Sequence, residues 1–391
     1  MSIRKNTWNL DGHYDLTKDE QNTYSDPSEL PDLPGPYSLW AFGYMNTGQL
    51  GLNDQVQRSS PIQVPGTQWS IVDGGANRTI SIKSDNTLWA WGNGGSGELG
   101  QNTRIDYSSP IQVPGSQWRT VVHGQSCSFA TKTDKTLWAW GTNGNGPLGL
   151  NDAVPRSSPV QVLGNQWARI TADHGAGAVL ATKTDGTLWA WGLNQNGKLG
   201  LNDTVYRSSP QQIPGTQWDF STANKIHTGT DENTYAIKTD GTMYVWGENF
   251  YGALGQNNLT QYSSPVQIPG TQWNTVSAGN PALATKTDGT LWAWGNNVNG
   301  QIGQNSLVNY SSPVQIPGTD WVNAEVNNYF SVAIKTDGSL FAWGGINGIA
   351  FPNPWNQDNI PRSSPIQIPG TDWAALNKTL GHNHGFFLKT P

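Results

Sequence analysis

The chain has 391 residues, with 46 Gly, 24 Pro and 20 Trp but one Cys and three Met, a composition far from average globular usage. Only 13% of residues are charged, and no apolar run approaches the roughly 20 residues needed to span a bilayer, so membrane insertion is excluded. A net charge of −6 argues against nucleic acid as a partner, and the single Cys127 cannot form an internal disulfide.

Residues 1–36 differ in character from the rest. They carry three Lys/Arg against seven Asp/Glu, so −4 of the −6 resides there, and the segment ends Pro-rich. No apolar stretch follows the first basic residues, so no conventional secretory signal is expected. Trp8, Leu10, Tyr14 and Tyr24 favour an extended acidic arm, acting as anchor or linker, over a solvated tail.

From residue 37 to 391 the chain is repetitive. A Leu-Trp-Ala-Trp-Gly segment recurs seven times with variants, closing at Gly43, Gly92, Gly141, Gly192, Gly247, Gly295 and Gly344. Ser-Ser-Pro also recurs seven times, and a Trp follows each first Ser by 10 residues. Eighteen of the 20 Trp fall at repeat positions, which assigns them to packing; Trp8 and Trp355 are the exceptions. Each repeat reads as four strands: A from the Trp, B ending in Lys-Thr-Asp, C as Leu-Trp-Ala-Trp, and D as Pro-Ile-Gln-Val. Asp-Gly between B and C, as at Asp185-Gly186, is a strong hairpin signal. Strand C is apolar on both faces, as in a sheet packed on both sides. The predicted fold is all-β, a seven-bladed β-propeller of four-stranded antiparallel blades with strand A at the axis. The last repeat stops after half of its B–C hairpin and the first begins with the other half, so a composite blade with strands from both termini is expected to close the ring.

The run Trp191-Gly192-Leu193-Asn194-Gln195-Asn196-Gly197-Lys198-Leu199-Gly200, with the Thr-Asp-Gly hairpin, resembles the repeat of the regulator of chromosome condensation (RCC1-like) family over roughly residues 38–391. The near-identical polar copies look like its bacterial and bacteriophage branch. The resemblance implies a propeller; members of the family include small-GTPase exchange factors on chromatin and diverse binding scaffolds. No exchange-active residue maps onto this chain.

Loop lengths separate the two faces. Ser-to-Trp and Lys-to-Gly spacings are constant, whereas Trp to Lys is 13 to 16 residues in six repeats and 20 from Trp218 to Lys238. Gly to Ser-Ser-Pro is 16 in six repeats and 19 from Gly344 to Ser363. All variation is therefore assigned to the A–B and C–D loops, which share one face, the expected binding face. The 219–231 and 345–358 loops are its exceptions. Phe351 and Trp355 in the second are candidate binding residues, with packing on their own blade as the alternative. Arg58, Tyr107, Arg156, Arg207, Tyr262, Tyr310 and Arg362 precede Ser-Ser-Pro and form a ring, read either as packing across blades or as carbohydrate or protein contact. His123, His174, His227, His382 and His384 are placed in A–B loops and read as hydrogen-bonding groups; no metal site is expected. Gly92 to Gly97 matches G-x-G-x-x-G without the helix that nucleotide binding needs. No catalytic set, cofactor or enzyme activity is expected.

These readings lead to a non-enzymatic binding or structural protein. The expected setting is a bacteriophage virion, as a tail or capsid-surface protein, with the arm attached to other virion proteins and the variable face meeting a host-surface protein or glycan. The alternatives are an intracellular (cytoplasmic) interaction scaffold or small-GTPase exchange factor, and a lectin-like adhesin.

Overall fold

The structure, a computed structural model, describes residues 38–43, 47–74, 77–124, 126–172, 177–222, 225–229, 232–326, 330–345, 362–368, 373–376 and 387–389. The arm, Phe351 and Trp355, with His174, His382 and His384, lie outside the described residues. Within them the chain is all-β apart from one short 3-10 turn, Phe250–Gly252.

Six four-stranded antiparallel sheets follow one another, each ordered A-B-C-D. Blade 1 comprises Trp69–Gly74, Arg78–Lys83, Leu88–Gly92 and Tyr107–Val113; blade 2 comprises Trp118–His123, Cys127–Lys132, Leu137–Gly141 and Arg156–Val162. Blade 3 comprises Trp167–Ala172, Ala178–Lys183, Leu188–Gly192 and Arg207–Gln212; blade 4 comprises Ile226–Thr228, Asn233–Ile237, Met243–Gly247 and Tyr262–Gln267. Blade 5 comprises Trp273–Ser277, Ala282–Lys286, Leu291–Gly295 and Tyr310–Ile316; blade 6 comprises Trp321–Val326, Phe330–Lys335, Leu340–Gly344 and Arg362–Ile368. The expected closed seven-bladed ring is corrected here. Trp40–Gly43 pairs with Arg58–Gln63, and Trp373–Leu376 with Phe387–Lys389, as two separate two-stranded sheets; no ladder joins them among the described residues. The physical reason is that no hairpin turn links these halves, so only long-range contacts can set their register.

Strands A line the axis, since consecutive A strands adjoin from blade to blade. Polar contacts tie them together. His123 Nδ1 lies 2.7 Å from Asp73 Oδ2, Ser277 Oγ donates to Glu325 at 2.9 Å, and His227 Nδ1 accepts from the Ala278 amide at 3.2 Å. His123 and His227 are thus strand residues rather than loop residues, because the A–B turns are shorter than their spacing implied.

Among the described residues, each junction from the 38–63 sheet through blade 6 reuses one set of contacts. The second Trp of strand C donates its indole N–H to a carbonyl in the preceding sheet's C–D loop, as Trp140 does to Glu98 at 2.8 Å and Trp246 to Lys198 at 2.8 Å. The same loops place an Asn amide on the carbonyl of the first Ser of the next sheet's triplet, as Asn151 does on Ser208 at 2.6 Å. Close approach there demands glycine: Gly146 has φ +75°, and a Cβ on it would stand 2.6 Å from Ser208 Cα. Inside each blade the strand B lysine lies between two rings, as Lys83 Nζ does at 4.7 Å from Trp69 and 4.3 Å from Trp89. That accounts for the regular lysines.

Blade 4 corrects the loop accounting. In five blades the A–B ladder shifts register just after the Trp, for example between Trp118 and Thr120. In blade 4 Trp218 still bridges Lys238, and the ladder resumes only at Ile226, opposite Ala236. The extra residues therefore sit within strand A, and the 219–231 segment is not a lengthened A–B loop. The bulge interrupts the ladder at this point in the other five blades, so residues added there in blade 4 displace no pairing. The excursion bridges neighbouring A strands: Arg169 of blade 3 donates to the Phe220 and Ser221 carbonyls at 2.5 and 3.0 Å, and Lys225 reaches Asn274 of blade 5 at 3.2 Å.

Candidate functional site

The C–D loops begin with the residues that follow each Trp-Gly. In blades 1, 2, 3 and 5 the two residues before the junction glycine are Gly95-Ser96, Gly144-Asn145, Gln195-Asn196 and Val298-Asn299; in blade 4 they are Phe250-Tyr251. An Asn holds most of these loops. Asn249 Oδ1 accepts from the Leu254 amide at 2.8 Å, and its Nδ2 donates to the Thr260 carbonyl at 2.9 Å. The loop tip is thereby fixed, and both aromatic rings are left outward, Phe250 at 66% and Tyr251 at 48% exposure with centroids 6.4 Å apart. Tyr251 takes φ +55°, a left-handed conformation costly for a bulky residue.

Beside this pair lies a cleft of about 460 Å³ lined by Gln195, Asn196, Glu232, Asn233, Glu248, Phe250, Tyr251, Ala253 and Asn280. Three blades contribute: the C–D loop of blade 3, the A–B turn and C–D loop of blade 4, and the A–B turn of blade 5. Asn196 Nδ2 donates to the Glu232 carboxylate, and the Glu248 amide donates to the Glu232 carbonyl at 3.0 Å. Asn233 is 0% exposed; its Nδ2 donates to the Gly279 carbonyl at 3.3 Å, and its Oδ1 has no partner within the protein. Two carboxylates and no cationic side chain line the cleft. Its lining is mainly polar, and the Glu232 carboxylate is already engaged by Asn196.

The ring positions are distributed differently. Arg58, Tyr107, Arg156, Arg207, Tyr262, Tyr310 and Arg362 each open a D strand, one per sheet, and the structure does not bring them together. Arg58, Arg156 and Arg207 pair with Asp54, Asp152 and Asp203, four residues earlier in the same loops. Tyr262 accepts from Asn258 Nδ2 at 3.0 Å in the same arrangement. Those side chains fasten their own C–D loops. Sequence reasoning missed the cleft; the available signal was the substitution of Phe250-Tyr251 and Glu248 into otherwise small or neutral repeat positions. Among the described residues no three His, Cys, Asp or Glu side chains converge as metal ligands.

The family model described as RCC1-like domain matches residues 38–387. Similar proteins include the ultraviolet-B receptor UVR8 of Arabidopsis thaliana, 36% identical over 92 residues, and a protein RCC2 homolog of Danio rerio, 38% identical over 90 residues. These matches take in 24% and 23% of this chain and only 20% and 18% of those relatives. Among solved structures, Prp20p from Saccharomyces cerevisiae, described with its binding to Gsp1p and histones, superposes with TM-score 0.67 at 16% identity, covering 88% of this chain and 92% of that one. Human WBSCR16 superposes with TM-score 0.65 at 18% identity, over 86% of this chain and 96% of that one. Such low identity speaks for the fold alone.

Proposed function

Because the chain belongs to the RCC1-like domain family, we propose that it is a non-enzymatic protein-interaction scaffold that engages its partner through the A–B/C–D face, centred on blade 4. The observation that carries this reading is the Phe250-Tyr251 pair. Its two aromatic rings are held in water by a rigid loop, at a strained backbone position, where the sister repeats carry no aromatic residue. Exposed aromatics beside a polar cleft are typical of binding hot spots. The relatives favour this scaffold reading over display on a virion, and the description of Prp20p with Gsp1p and histones supports a protein as the partner. In the same reading the two terminal two-stranded sheets combine into a seventh blade, which gives the face a closed rim.

Photo-crosslinking tests the proposal. A photoreactive residue at position 251 should give discrete adducts in the source cell, and the same probe at Leu163, exposed in a D–A loop on the other face, should not. Adducts from Leu163 alone, or from neither position, would reject it.

A further inference from the structure

We infer that a second cleft, at the junction of blades 5 and 6, takes a small aromatic carboxylate, with its ring against Phe341 and its carboxylate on Lys335. The site is separate from the blade 4 face and does not depend on the scaffold reading. The cleft measures about 320 Å³, within the range of small-molecule sites. It is bounded by 303–305 of the blade 5 C–D loop, by Pro317 in the connection to blade 6, by Ser364-Pro365 of strand D, and by Trp321, Lys335 and Phe341. Two departures from the repeat coincide with it. Strand C of blades 1, 2, 3 and 5 carries a Trp where blade 6 has Phe341, and that indole donates to a Thr hydroxyl two residues back, as Trp292 does to Thr290 at 2.9 Å. Blade 6 has Ser339 in place of the Thr, so a smaller ring without a donor stands at this point.

Lys335 gives the cleft a positive charge, and no acidic side chain lines it. Among the described residues Lys335 makes no ion pair; Asp337, close by in sequence, accepts from the Ser339 amide at 2.9 Å within its own turn. The rings also hold this ammonium less closely than in the sister blades. Its Nζ stands 4.8 Å from Trp321 and 5.5 Å from Phe341, against 4.3 to 4.8 Å in the blades with two tryptophans, and Phe is a weaker cation–π partner than Trp. Contact with ring faces leaves the ammonium donors for an oxygen acceptor. Gly318, at φ +100°, keeps the space beside them clear: a Cβ there would stand 3.3 Å from Lys335 Nζ. A single cation suits one negative charge, and Phe341 with Pro317 and Pro365 suits a flat apolar body. An aromatic carboxylate brings both; acetate lacks the body and an aromatic amide lacks the charge.

Indole-3-acetate, indole-3-acetamide and acetate, titrated into the full chain at low salt and followed by NMR, separate charge from ring. The indole acid should shift resonances of the cleft, and the amide and acetate should each bind at least tenfold more weakly. Phe341→Trp restores the residue of the sister blades, so it should keep the fold while filling the cleft and weakening the acid at least tenfold. Lys335→Gln should lower the acid to the affinity of the amide; if that variant does not fold, the comparison of acid with amide on the unaltered chain still decides. N-acetyl-glycyl-tryptophan, which presents the same groups as the end of a polypeptide, should bind more weakly than the acid, and tighter binding would overturn the small-molecule assignment. Equal affinity for acid and amide, binding undiminished in Phe341→Trp, or no shifts at the cleft overturns the inference as a whole.

Discussion

Each repeat carries two kinds of buried tryptophan with opposite polar fates. The strand C residue Trp140 gives its N–H to the Glu98 carbonyl, whereas the strand A residue Trp118 has no acceptor for Nε1 and instead meets Lys132 Nζ at 4.7 Å. Substituting Phe removes similar volume from both, but only Trp140→Phe also removes a hydrogen bond, leaving the Glu98 carbonyl with the Ser128 hydroxyl alone at 2.8 Å. Denaturant unfolding should show Trp140→Phe costing about 1 kcal/mol more than Trp118→Phe. Equal losses would mean that the junction hydrogen bond contributes nothing net. Cys127 makes a second residue-scale test. Burial pushes its thiol up to about 11, despite the opposing pull of Arg78. The thiolate is the reactive form, so native protein should resist maleimide at pH 8 and react fully in denaturant. Cys127 packs with Trp167, Val179 and Trp191 of blade 3, so rapid modification of folded protein would show that the blade 2–3 junction opens.

At the scale of elements, the B–C turns repeat one device. Asp134 and its counterparts Asp85, Asp185, Asp240 and Asp288 accept from a Thr hydroxyl and amide two residues on, and the hydroxyl bond is the largest cause holding each carboxyl below its ordinary value. A depressed carboxylate stabilises the fold above its unfolded pKa and loses that contribution as pH falls through the folded one. Thermal midpoints should therefore hold above about pH 4 and decline below it. A flat profile there would contradict the turn's role. These turns were legible because Asp-Gly and Thr stand at fixed offsets. The insertion in blade 4 was not: a spacing of 20 from Trp218 to Lys238 counts residues without saying where within strand A they leave the ladder. Deleting 220–224 would set Lys225 opposite Ile237 and restore the register of the sister blades. This variant should fold cooperatively with its midpoint changed by only a few degrees; loss of folding would make the excursion a structural brace.

For the whole molecule, the periodic residues specified the blades and said little about the cleft. Trp, Gly and Ser-Ser-Pro repeat because every junction asks for the same shapes, whereas Glu248, Phe250 and Tyr251 are legible only as departures from the period. In the proposed closed ring, the two terminal sheets would meet across a turn that the chain order omits. Lys389-Thr390, followed by Asp-Gly and then Ser38-Leu39, would reproduce the run Lys335-Thr336-Asp337-Gly338-Ser339-Leu340 of blade 6. A circular permutant with Asp-Gly in place of Pro391, residues 1–37 removed and new ends opened in the 114–117 loop should fold with a raised thermal midpoint. If the permutant is less stable than the parent chain, the two terminal sheets are not partners.

The uniform junctions also bear on how such a chain changes over generations. The indole-to-carbonyl bond and the glycine packed on serine recur at each boundary from the 38–63 sheet through blade 6, so misaligned exchange between two of these repeats in the gene would splice strands that already fit their new neighbours. The product would gain or lose one whole blade while every local contact survived. What would then select against it is the angle through which the sheets must turn to meet, a property that belongs to no single repeat.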